Sequence, residues 1–299
     1  MAAEEHGTTT AGEYIGHHLT HLRSHEQTSV ADFSVINYDT LFWSILLGIV
    51  GLFVMWRVAK AVTSGVPGRL QAAVEILLEM VDNQAKAIVH SAHSRKFVGP
   101  LALTVFIWIF LMNSMDFLPL DVIPNIWAWI YGAAGHDAHH AYMRVVPTAD
   151  LSATLGMSIA VLLICLFYNI KIKGLGGWGH ELISAPFGSA KLTGNPLSWV
   201  LFLLMSVANF AMQMVEFFAK TLSHGMRLFG NMYAGELVFM LIALMGAAGF
   251  GSATGITLWL GHVIAGTAWA IFHILIVALQ AFIFMMLTLV YVGQAHDAH

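Results

Sequence analysis

The sequence predicts an all-α, polytopic membrane protein with about five membrane-embedded helices and one amphipathic surface helix. Three observations carry this. Hydrophobic residues make up 58% of the 299 positions and the mean hydropathy is +0.74, against about 45–50% apolar residues in a soluble domain. Charged residues are only 10%, against about 25%, which excludes a soluble enzyme. The apolar residues also fall in runs approaching the roughly 20 that a helix needs to cross hydrocarbon. The 13 basic and 17 acidic residues leave a net charge of -4, which is no nucleic-acid footprint. The single Cys165 rules out an internal disulfide, and its apolar setting argues against a thiolate metal site.

Residues 1–39 form a polar N-terminal segment with Glu4, Glu5, Glu13, Glu26 and five histidines up to His25. It lacks the basic-then-apolar start of a signal peptide, so the mature chain is expected to keep it. The membrane domain follows over 40–293. Spans are expected at about 40–57, closed by Arg57 and Lys60, and then at about 99–118 and 150–170. Between the first two, about 67–90 mixes Leu, Ile, Val and Met with Arg69, Glu75, Glu79, Asp82 and Lys86, the pattern of a helix lying on the membrane surface. A loop with Pro119, Pro124, Pro147, His136, His139 and His140 is expected between the second and third spans. The last third reads as two long helices, about 197–245 and 256–293, divided by the Gly-rich stretch 246–255 and too long to cross without tilt. Residues 294–299 are a short tail. No internal repeat is visible.

Orientation follows from the basic residues. Six lie from Arg57 to Lys96 and three more are Lys171, Lys173 and Lys191, while only Arg23 and Arg144 fall on the other side. The positive-inside rule therefore puts the N-terminus outside and the C-terminal tail in the cytoplasm. Lys220 and Arg227 are left over, within the apolar final third.

Those two residues belong to a polar stripe. Glu216, Lys220, Ser223, Arg227 and Asn231 are spaced 4, 3, 4 and 4 residues apart, within an arc of about 80° at 100° per residue. Asn209 and Gln213 extend it backwards. Glu236, nine residues past Arg227, is turned through about 180° and faces away. On the last helix His273 and Gln280 share a face, and a hairpin would bring them toward Glu236 and Arg227 respectively. Isolated Asn and Gln commonly serve as bonds between helices. Lys220 has a second reading as a side chain reaching for the interface. Arg227 does not: it is permanently charged, lies mid-helix, and a charge at membrane depth is a functional residue by default.

Two other classes compete. Sixteen histidines suggest an intramembrane metalloenzyme, but the His180-Glu181 pair meets Ser184 where a second zinc ligand is required. No metal or cofactor is expected. A stand-alone ion-coupled transporter would need broken helices or repeats around a substrate cavity.

RLFGNMYAGEL (Arg227 to Leu237) and WAIFHILIVALQAFIFMMLTLVYV (Trp269 to Val292) closely resemble subunit a of the bacterial F-type ATP synthase membrane sector. FLMNSMDFLPLDVIP (Phe110 to Pro124), RVVPTADLSATL (Arg144 to Leu155), FYNIKIKGLGG (Phe167 to Gly177) and TSGVPG (Thr63 to Gly68) extend the likeness over about 36–292. The resemblance implies a non-catalytic stator in the bacterial inner membrane, its last two helices a tilted hairpin against a ring of c subunits. Subunit b of the peripheral stalk, the rest of the complex and lipid are its other partners, and it binds no nucleotide itself.

The resemblance further implies two offset half-channels that load and unload protons on the ring. Arg227 resembles the essential arginine. Glu236, His273, Asn231 and Gln280 resemble the outward half-channel, and Glu216, Lys220 and Ser223 the inward one. Asp116, Asp121 and Asp150 are implied to draw protons to the outer entrance, with loop capping as the other reading. Asp39 resembles a family position and equally suits a helix cap. The sequence departs from the pattern at about 246–266, which is longer than in familiar relatives. It also departs at Gln213, where some relatives carry a carboxylate and Glu216 sits one turn away.

Overall fold

The computed structural model describes residues 11–27, 32, 34–119, 121–137, 141–188, 196–247 and 252–295. His139, His140, Lys191, residues 248–251 of the Gly-rich stretch and 296–299 of the tail lie outside the described residues, as do positions 1–10 and 28–31 of the N-terminal segment. The fold is all-α, with no strand among the described residues beyond an isolated bridge between Arg23 and Asn37. The helices are α1 (Ala11–Leu19), α2 (Tyr38–Ala61), α3 (Arg69–Ile88), α4 (Ala92–Ser114), α5 (Val122–Ala133), α6 (Leu151–Ser184), α7 (Pro196–Gly246) and α8 (Ala253–Gln294). Five of them, α2, α4, α6, α7 and α8, are long and apolar enough to cross a membrane. Helix α3 is not among the five. It carries its charges along much of its length and buries only Val81 and Ala85.

Two elements differ from the sequence expectation. The stretch after Pro119 contains helix α5 where a loop is expected. Pro124 sits in the first turn of α5, where a missing N–H costs nothing because the first amides of a helix have no internal partner. Helix α6 does not stop near 170 but runs to Ser184, interrupted at Gly174, whose φ of 72° and ψ of 164° are open only to glycine. The basic residues of Lys171–Lys173 mark the end of the apolar run, not the end of the helix.

The described chain divides into two compact units. The first comprises Met1–Lys60, Ile107–Ala153 and Phe229–Ala281. Here α2 meets α4 through Trp108, whose indole N–H donates to the Ser44 carbonyl at 2.9 Å. Ile109, Met112, Met232, Met240 and Val277 are buried in it, together with a set of polar side chains. The second comprises Ala61–Phe106, Thr154–Leu228 and Phe282–His299, with a core that includes Val81, Val98, Ala102, Cys165, Leu228 and Leu289. In it the Ser158 hydroxyl donates to the Thr221 carbonyl, joining α6 to α7. Large apolar side chains stay exposed along the spans, among them Leu52, Phe53, Phe218 and Ile264. This suits lipid, where association between helices depends on close packing and polar contacts and not on escape from water.

Candidate functional site

The first unit holds a buried polar cluster. Helix α4 ends in a 3-10 turn, Met115–Phe117, ahead of Pro119, and that turn points Asp116 inward to 5% exposure. The Asp116 carboxylate lies 2.6 Å from Nε2 of His273 on α8, although the line between them is not that of a well-directed hydrogen bond. His273 is fully buried, and edge-on rings of Phe117 and Phe239 enclose it. It also rests on Gly235 of α7, where any added Cβ would collide with the ring. A glycine is therefore what lets α8 bring a histidine this close to α7.

One residue further along α7, Glu236 is 5% exposed and pairs with Arg144. Arg144 Nη2 donates to one carboxylate oxygen at 2.5 Å, and Nε reaches the two oxygens at 3.2 and 3.4 Å. In such a forked pair each buried group offsets part of the other's cost of leaving water. On its other side Arg144 Nη1 lies 3.0 Å from His21 Nε2. Guanidinium only donates, so that ring nitrogen accepts and the proton sits on Nδ1. Nδ1 then donates to Asp39 at 3.2 Å, and the same Asp39 oxygen accepts the backbone amides of Leu22 and Arg144, both at 3.1 Å. Among the described residues, buried Asn113 Oδ1 and Nδ2, Thr148 Oγ1, Trp269 Nε1 and His273 Nδ1 have no protein partner. Buried polar atoms in such numbers call for water.

The hairpin packs the His273 ring on Gly235, the residue before Glu236. Each has its own close partner, Arg144 for Glu236 and Asp116 for His273. Of the other carboxylates expected at an entrance, Asp150 accepts from Asn37, Thr40 and the Ser152 amide at 2.7–2.8 Å, the work of a helix cap and a tether. Asp121 stays exposed and accepts from Tyr14 at 3.1 Å. Gln280 is 8% exposed and Asn231 half-buried.

The second unit holds an open polar cleft of about 1080 Å³. Gln213, Glu216 and Lys220 of α7 line it, with Lys173 and Glu181 of α6 and Gln294 of α8. Lys220 Nζ sits 2.5 Å from Glu216 and donates to the side-chain Oε1 of Gln294 at 2.8 Å, and Lys173 pairs with Glu181 at 2.7 Å. Ser223 is exposed and does not line the cleft. Asn209 is spoken for: it accepts from the Phe187 amide and donates to the carbonyls of Ile183 and Gly188, holding the turn after α6 against α7. Arg227 is exposed on α7, as are Ser223, Met226 and Gly230, while Glu236 on the same helix is buried. The half-turn between them is thus visible in the burial pattern.

Sequence reasoning misses Arg144 and His21. It places Arg144 among the outer charges that fix topology, yet the residue is 6% exposed and sits at the centre of the cluster. Its partners lie 92 and 123 residues away in sequence, beyond the reach of any periodicity.

A family model described as the ATP synthase A chain matches residues 41–293. The chain is 66% identical over 299 residues to ATP synthase subunit a of Paracidovorax citrulli (strain AAC00-1), covering the whole of both chains. It is 63% identical, again over both whole chains, to ATP synthase subunit a of Acidovorax sp. (strain JS42). This chain belongs to the ATP synthase subunit a family. The subunit a of Psychrobacter arcticus is 46% identical over 302 residues, covering 97% of this chain and 98% of the relative. The subunit a match begins inside α2 and ends inside α8, so it takes in all five long apolar helices. Helix α1 and His21 fall outside that matched region, although full-length subunit a relatives extend over them.

Proposed function

We propose that this chain is the proton-conducting stator of a bacterial F-type ATP synthase, non-catalytic in itself, with two offset half-channels that load and unload carboxylates on a c-subunit ring. The observation that carries the reading is on α7, where Arg227 is exposed and Glu236, nine residues on, is buried in a polar cluster. A guanidinium on the outer face of a span is placed to meet a partner's carboxylate. A nearby cation favours the ionised carboxylate, so each ring site gives up its proton as it reaches Arg227. Arg227 holds its own proton at any working pH, so it does not pass protons from one half-channel to the other. Each proton crossing releases about 2.3 kcal/mol per 100 mV, and a direct leak would waste it.

On this reading Glu236, His273 and Asp116 handle protons on the outward side, with Asn231 and Gln280 toward Arg227. Glu216 and Lys220 belong to the inward cleft, and Ser223 faces the ring beside Arg227. The N-terminus is periplasmic and the C-terminus cytoplasmic in the inner membrane. Helix α3 lies on the membrane surface, the α7–α8 hairpin tilts against the ring, and subunit b of the peripheral stalk holds the chain still. The test is Arg227→Ala in the assembled complex, read as ATP-driven proton pumping in membrane vesicles. Pumping is expected to disappear, and coupled pumping at the normal rate would overturn the assignment.

A further inference from the structure

The N-terminal helix carries chemistry that the outward site has not yet used. On α1, His18 Nδ1 is 3.0 Å from the Tyr14 carbonyl and Nε2 is 3.1 Å from Asp121 Oδ1. A carbonyl only accepts, so Nδ1 carries a proton. A carboxylate also accepts, so a second proton lies between Nε2 and Oδ1. The pair is a proton store, open to water on the Asp121 side, where the carboxylate side chain is 56% exposed against 11% for His18. On the inner side His18 lines a small cavity of about 30 Å³, bordered also by Asp116, Arg144 and Glu236, and large enough for one water.

We propose that His18 is a proton-transfer residue of the outward site, carrying protons between exposed Asp121 and the cavity beside Asp116 and Glu236. The inference rests on the outward half-channel assigned above. In the inward step the imidazolium ring turns so that Nε2–H leaves Asp121 for a water in the cavity, gives that proton to the water, and turns back neutral with Nδ1–H again on the Tyr14 carbonyl. Asp121 takes a proton from bulk water and passes it to Nε2. One proton enters, one is delivered, and only N–H and O–H bonds change.

The groups around His18 fit the task. Tyr14 and His17 share its helix, with the two histidine rings 5.7 Å apart. Asp121 faces it from the segment before α5, and Asp116, Arg144 and Glu236 border the cavity. Burial, and then the Asp121 charge, push the Tyr14 phenol up to about 12, so it remains a donor to Asp121 at every working pH.

The test uses the complete ATP synthase in proteoliposomes, with ATP synthesis driven by a fixed potential while the pH on the outer side is varied. His18→Gln is expected to lower the ratio of the rate at outer pH 8.5 to that at pH 6 by roughly threefold or more, because a relay matters most where protons are scarce. Asp121→Asn, at an exposed position, should shift the profile the same way and serves if His18→Gln assembles poorly. An unchanged profile, or a loss equal at every pH, would overturn the proposal and leave His18 a structural clip. Glu236→Gln is run in parallel: if it keeps full activity, the outward half-channel itself is wrong, whatever His18 does.

Discussion

Arg144 and Glu236 are each about 95% buried and satisfy one another through three contacts. Removing one member of such a pair leaves a naked charge, which costs about 3–5 kcal/mol, whereas removing both costs far less. Arg144→Ala should therefore sharply lower the amount of assembled chain and its melting temperature in detergent. Combined with Glu236→Gln, the same substitution should recover much of that assembly without recovering proton pumping. If the double variant is as poorly assembled as Arg144→Ala, the guanidinium matters chiefly through His21 and not through Glu236. None of this is legible from residue type, because an arginine in a Pro-containing loop looks like any solvated charge.

At the scale of the helices, the two-faced character of α7 is written in the spacing itself. Glu216, Lys220, Ser223 and Arg227 fall on one arc, and three of the four are exposed with Lys220 half-buried, while Glu236 on the opposite arc is buried. A fixed turn per residue suffices for that inference. It does not suffice for the partners, since which helix lies against an arc depends on contacts between distant segments. Helix α5 and the far half of α6 escape the sequence reading for a local reason: a proline in a first turn and a glycine with positive φ both read as loop. The close approach of α7 and α8 depends on Gly235. Gly235→Ala puts a methyl against the His273 ring, and overpacking of that kind costs about 1–3 kcal/mol. The variant should lose several degrees of thermal stability in the purified complex and pump more slowly, since His273 must move from Asp116 or α8 must move from α7. Unchanged pumping and melting would show that the ring has room to turn aside.

At the scale of the whole molecule, the described residues hold two polar sites of different character, one in each unit. The buried cluster belongs to one unit and the open cleft to the other. A charged cleft open to solvent should admit water-soluble reagents, and a lipid-facing apolar position should not. With the native Cys165 changed to Ser, Glu216→Cys should react with a membrane-impermeant thiol reagent added from the cytoplasmic side. Phe218→Cys, at a position 69% exposed on the apolar surface, should remain unreactive. Labelling of Glu216→Cys from the periplasmic side alone would reverse the orientation assigned from the basic residues.

The Arg144–Glu236 pair also sets an order of events during synthesis. Its two members are 92 residues apart, and at roughly 5–20 residues per second the ribosome needs about 5–20 s to make the second after the first. Through that interval Arg144 exists without its carboxylate. Asp39 and His21, both made earlier, are partners it touches in the finished fold, through its backbone amide and its guanidinium respectively. The groups that meet Arg144 from the N-terminal segment are thus made before α7, and Glu236 is the last member of the cluster's ion pair to be supplied.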